Sequence, residues 1–136
     1  MKLNDLIRSA VFFVLALAMV GALCAPALAV QYTLTVQNDT PYPFSMATVT
    51  EFCMRSPLPE GEIQPHSKID FTIDTELARN ALIRCLASEL ILGFRSNHKA
   101  LYVKLVKNRL HPWQASSSSF VHTDGSLTGV LIRLEK

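Results

Sequence analysis

Four histidines, three cysteines and a basic stretch free of acids are the features of this chain whose residue types could do chemistry. His66, His98, His111 and His122 show no HxH or HExxH spacing, the patterns that bring two imidazoles onto one metal ion, so neither a metal nor a cofactor is expected. Ser116 to Ser119 offer hydroxyls, but the GSLTG run from Gly125 to Gly129 is not the GxSxG of a nucleophile elbow. The phosphate-cradling patterns GxxxxGK and GxGxxG are missing too. Glu60 and Glu62 lie in a proline-rich stretch where solvated carboxylates are the ordinary outcome. Enzyme function is therefore disfavoured, and a small secreted hydrolase with a triad assembled from distant residues is the least favoured reading.

The basic stretch is the more unusual feature. No acid occurs between Leu90 and Thr123, where Arg95, Lys99, Lys104, Lys107 and Arg109 lie with His98 and His111. From Val30 to Glu89 there are 8 acids and 4 bases; from Leu90 to Lys136 there are 2 acids and 7 bases. The net charge of the whole chain is nevertheless only +2, which argues against a general nucleic-acid binder. With Tyr102 and Trp113, the residues Arg95, Lys99, Lys104, Lys107, Arg109 and His111 form a candidate binding face. Two partners suit it: a protein, or an anionic envelope component such as phospholipid or lipopolysaccharide touched peripherally. The competing reading is a solvated outer sheet face with Trp113 in the core. On a strand, Tyr102 and Lys104 share one face opposite Leu101, Val103 and Leu105, and Lys107 falls on the inward parity unless a bulge redirects it.

The compartment follows from the N-terminus. Lys2 and Arg8 precede an uncharged apolar run, Ala10 to Leu23, after which come Pro26 and the small residues of Ala27-Leu28-Ala29. This is the pattern of a signal peptide, residues 1–29, cleaved after Ala29 to leave one domain over 30–136 in the periplasm or outside the cell. An uncleaved membrane anchor is the alternative, since the stretch without charge extends from Ala10 to Val30 and is just long enough to span a bilayer. A lipoprotein reading of Cys24 is weaker, because Leu23 stands where a lipobox has a small residue. Cys24 leaves with the leader, and the remaining pair in an exported chain, Cys53 and Cys85, is expected to form a disulfide.

The elements that must carry these residues read mainly as strands. Tyr32, Leu34 and Val36 alternate with polar neighbours, as do Ile69, Phe71 and Ile73. Phe44 to Phe52, Glu89 to Phe94 and Ala100 to Lys107 supply further strands, the last two joined by a polar turn, Arg95 to Lys99. Arg55 to Pro65 reads as a long connecting loop, the serine tract as an interruption, and Asp124-Gly125 as a two-residue hairpin turn. Asn38-Asp39-Thr40 reads as a turn and doubles as an N-glycosylation sequon. Residues 75–87 fit two patterns: the helical spacing of Leu77, Ala78, Ala81, Leu82, Cys85 and Leu86 is favoured, and a buried strand through Ala81, Ile83 and Cys85 stays open. The fold class expected is thus mainly β: a small antiparallel β-sandwich of about seven strands, with one short helix over about 75–87 and one disulfide.

Asn38, Thr40, Pro57, Pro59, Ile63, Pro65, Ser67 and Phe71 together resemble the first half of small membrane-binding β-sandwich proteins of the aegerolysin type. The resemblance covers about a third of the segment from Val30 onward and consists of turn residues and strand alternation. Leu77 to Leu86 departs from the glycine-rich character of that family, and the resemblance implies no activity or site residue here.

Overall fold

Alternation sets the first strand, β1 (Val30–Asn38), in which Leu34 and Val36 are buried while Thr33 and Gln31 face solvent. The structure, a computed structural model, describes residues 30–78 and 84–135. The leader expected over 1–29 lies outside the described residues. After β1 come β2 (Phe44–Phe52), β3 (Met54–Arg55), β4 (Gly61–Ile63), β5 (Ser67–Thr75), β6 (Ala87–Arg95), β7 (Ala100–Asn108), β8 (Gln114–Ser117), β9 (Val121–Gly125) and β10 (Gly129–Leu134).

Two five-stranded sheets result, one in the order β3-β5-β1-β10-β9 and the other β4-β2-β6-β7-β8. Leu34, Val36, Ile73, Ile132 and Leu134 point inward from the first sheet, and Phe44, Ile63, Leu90, Leu92, Phe94, Val103 and Leu105 from the second. Each such side chain contributes about 1.5–3 kcal/mol when withdrawn from water, so the interlayer between the sheets is the main source of stability. The mainly β, mostly antiparallel sandwich matches the expected class. One pair departs from it: β1 runs parallel to β10, with Leu34 opposite Val130 and Val36 opposite Ile132. The pairing brings the two strand ends of the described chain into the centre of one sheet.

The disulfide expected from the cysteine count is present. Cys53 and Cys85 are bonded with their Cα atoms 5.8 Å apart. Cys53 occupies the corner where the chain leaves β2 in one sheet and enters β3 in the other. Its carbonyl accepts bonds from Glu76 N and from the hydroxyl of Ser88, both at 2.9 Å, so one residue ties β5 and β6 to that corner. Such a bridge is consistent with an oxidising, extracellular environment.

The segment expected as a helix over 75–87 is extended at both described ends. Thr75 closes β5, Ala78 pairs with Arg84 in an isolated antiparallel bridge, Cys85 N donates to Leu77 O (2.9 Å), and Ala87 opens β6. Residues 79–83 lie outside the described residues. At these described ends helical spacing loses because β5 and β6 belong to different sheets, and the chain between them must deliver Cys85 to Cys53.

Three local expectations are corrected. The Arg55 to Pro65 loop contains the short strand β4, and β3 ends at Arg55. The serine tract, Ser116 to Ser119, expected as an interruption, gives its first two residues to the edge strand β8 (Gln114–Ser117). The Asp124-Gly125 pair lies inside β9, and the turn falls on Ser126 to Thr128. There the Ser126 side chain accepts bonds from Gly129 N (3.1 Å) and Thr128 N (3.3 Å), an organisation that competes with the shorter turn.

The turn after β1 is locked from within. Asn38 is fully buried, and its Nδ2 donates to Tyr42 O (2.7 Å), Gln64 O (3.2 Å) and Ile63 O (3.3 Å). Its Oδ1 accepts from Thr40 N (3.0 Å) and from the Thr40 hydroxyl (2.6 Å). The sequon amide is therefore a structural fastener between this turn and β4, and a glycan on Nδ2 would require the fastener to open.

Candidate functional site

The eight residues of the expected binding face fall in four places. Tyr102 and Lys104 project outward from β7, while Leu101, Val103 and Leu105 point into the core, as their parity requires. Arg95 is exposed at the end of β6, and the Lys99 ammonium in the following turn stands 3.9 Å from the centre of the Phe120 ring. Arg109 and His111 are exposed beyond the other end of β7, roughly 25 Å away by strand rise.

Lys107 and Trp113 are not on the face. Lys107 is only 6% exposed, and its ammonium donates to Asn108 O (2.8 Å) and to His111 O while lying 5.6 Å from the Tyr32 ring. Trp113 is 2% exposed and packs edge-on to Tyr32, ring centres 5.3 Å apart. Pleat parity sends Lys107 inward, and the indole completes the core between the two sheets. These two side chains brace the end of the sandwich.

What the outer face of β2, β6 and β7 does carry is apolar and aromatic. Val49, Phe52 and Tyr102 are 54%, 50% and 52% exposed. Tyr102 lies opposite Gly93, and a Cβ built on Gly93 would stand 3.1 Å from Val49 Cγ2 and 3.7 Å from Tyr102 Cε1. The tyrosine and the valine thus lean over the glycine from its two sides and meet as one patch. Beside it Lys104, opposite the half-buried Ile91, reaches Glu89 at 3.5 Å, and Phe52 flanks Glu89 from β2. Both members of that ion pair are well exposed, so its contribution is about 0–1 kcal/mol.

Val49 and Phe52 escaped the reading of the sequence for a definite reason. Phe52 is in phase with Phe44 and Met46, which are buried, and so reads as a core residue. The register of β2 against β6 shifts between Thr48 and Thr50, and this bulge inverts parity beyond it. Phe52 then stands opposite Glu89 on the solvent side. The available signal was Val49 itself, a β-branched apolar residue out of phase with Phe44, Met46 and Phe52.

No catalytic constellation assembles around these residues. All four histidines are exposed on separate elements, and among the described residues no group of three or more His, Cys, Asp or Glu could hold a metal ion. The hydroxyls of Ser117 and Ser118 engage backbone carbonyls, of Val121 and Tyr102 respectively. No family model matches the chain, and no curated protein matches it at a significant level.

Proposed function

We propose that the chain is an exported, non-enzymatic binding protein of the bacterial envelope, periplasmic or secreted, that docks a protein partner on the outer face of β2, β6 and β7. The observation that carries the reading is three half-exposed large side chains on one sheet face: Val49 and Tyr102 over Gly93, and Phe52 further along, opposite Glu89. Large side chains left in water on a sheet face forgo their transfer free energy, and aromatic anchors bordered by a charged pair are the composition of protein interfaces. The disulfide and the leader-like N-terminus agree with export.

A protein partner is favoured over an anionic lipid surface. The face has lost Lys107 and Trp113 to the interior, its Lys104 is matched by Glu89, and the remaining bases are divided between opposite ends of β7. Little concentrated positive field is left to hold a charged surface. The test is capture from envelope fractions at low and high ionic strength by wild-type protein and by the double variant Phe52→Ala, Tyr102→Ala. The reading requires one partner retained at high salt by the wild type and lost by the variant, with the variant's thermal midpoint unchanged. Retention that vanishes at high salt, together with co-sedimentation on anionic liposomes, would transfer the role to the lipid-binding alternative.

A further inference from the structure

At one end of the sandwich, between the turn that follows β1 and the turn that joins β6 to β7, lies a cavity of about 300 Å³. Its floor is a cross-strand row. Glu62 on β4 pairs with Ser45 on β2, and Ser45 pairs with Arg95 on β6, so an acid, a hydroxyl and a guanidinium stand side by side on three neighbouring strands. With strands ~4.8 Å apart, the Glu62 and Arg95 backbones are roughly 10 Å from each other. Neither side chain takes part in an ion pair or hydrogen bond among the described residues. One wall is Tyr42, half exposed, its ring 4.7 Å from that of His98 and tilted by 56°.

Both walls are held before any ligand arrives. Tyr42 is fixed through its backbone: its carbonyl accepts from the buried Asn38, and its N–H donates to Thr40 Oγ1 at 3.2 Å. Opposite it, Ser96 Oγ accepts from Lys99 N (3.1 Å) and His98 N (3.2 Å), and Ser96 N donates to Lys99 O (2.9 Å). A recess whose loops are already ordered gives up little entropy on binding.

We propose that this cavity is a binding site for one carboxylated sugar ring of the hexuronic acid type. The volume lies at the lower bound of small-molecule sites and suits a single ring. The unpaired guanidinium of Arg95 offers the fork that takes a carboxylate by two parallel bonds. Glu62, two strands away, accepts hydrogen bonds from ring hydroxyls, and Asn97 adds an amide with both donors and an acceptor. The flat ring of Tyr42 meets the apolar C–H face of the sugar. A simple polyanion would meet repulsion from Glu62 and a simple cation from Arg95; a ligand with one acid group and several hydroxyls satisfies the whole row. This site goes beyond the docking face around Tyr102 and stands or falls separately from it.

The experiment is titration of glucuronate into the purified protein, followed by backbone amide shifts, with glucose, acetate and glycine as comparison ligands. Saturable shifts confined to residues 42–45, 62 and 95–98 are expected, with glucose, which lacks the carboxylate, binding at least about tenfold more weakly, the margin of one charge-assisted bidentate contact, and acetate, which lacks the hydroxyls and the ring, also binding more weakly than glucuronate. Arg95→Gln should weaken glucuronate by about tenfold and leave glucose unchanged, and Tyr42→Phe should retain binding that Tyr42→Ala loses. Acetate binding as well as glucuronate would reduce the site to an anion contact. Tighter binding of glycine would make it a zwitterion site. Either result, or the absence of saturable shifts, overturns the proposal. Phe52→Ala, opposite Glu89 and six residues along β6 from Arg95, should lose partner capture and leave glucuronate binding unchanged, which keeps the two readings separable.

Discussion

Lys104 and Lys107 share one strand, and the odd spacing between them sends one ammonium to solvent and the other into the end of the sandwich. The buried one donates to two carbonyls, of Asn108 and His111, in part-buried bonds. Truncating it takes the ammonium donor from the His111 carbonyl and leaves Asn108 O with only the His111 N–H, at about 1–3 kcal/mol, and removes packing against Tyr32. Lys107→Ala is therefore expected to lower the urea midpoint of unfolding by that amount, while Lys104→Ala changes stability by less than about 0.5 kcal/mol. Comparable midpoints for the two variants would show that the interior placement of Lys107 carries no energy. At this scale the sequence was half readable. The parity of Lys107 could be counted, whereas the burial of Trp113 could not, because the chain after β7 carries no alternation to count.

Among the elements, the hairpin of β9 and β10 shows how tertiary contact moves a turn. Asp-Gly is a strong local turn signal, yet Gly125 is spent on a close approach: a Cβ there would lie 1.9 Å from Trp113 O and 2.7 Å from its carbonyl carbon. Trp113 N in turn donates to Ser126 O at 3.0 Å, so the segment before β8 is laced to this hairpin across the side of the sandwich. Gly125→Ala must push that backbone apart and is expected to cost at least about 2 kcal/mol. Gly93→Ala meets side-chain rather than backbone atoms, of the half-exposed Val49 and Tyr102 at 3.1 and 3.7 Å, and should cost less than about 1 kcal/mol. Thermal denaturation of the two variants side by side checks this, and equal losses would mean that the contact with Trp113 is not what holds Gly125. The bulge in β2 is the companion case, a one-residue slip that turns Phe52 from a core candidate into an interface candidate.

For the molecule as a whole, the disulfide sits where the chain crosses between sheets, and it closes a loop with a sequence separation of 32. In the chain-entropy description that closure is worth about 3–4 kcal/mol. Domains of this size have total stabilities of about 5–15 kcal/mol, so the bridge is a substantial share. Denaturant unfolding with and without reductant should show a loss of that size. A loss under about 1 kcal/mol would mean that the two sheets hold the crossing point unaided. The central β1–β10 pair depends on the same closure of distant chain, since Thr33 meets Gly129 only when nearly the whole described chain is folded between them.

By itself the sequence determined the strand character of β1, β5, β6 and β7, the outward placement of Tyr102 and Lys104, and the pairing of Cys53 with Cys85. These rest on a period of two along the chain and on a count of cysteines, and both are local or arithmetic properties. Tertiary structure alone decided the extended ends of the 75–87 segment, the reversal of Phe52, the inward Trp113, the true position of the last turn and the row of Glu62, Ser45 and Arg95. Each of these depends on which strand lies beside which, and at what register. Strand neighbours are selected by burying one shared core across long stretches of chain, so no window of sequence contains the information that places them.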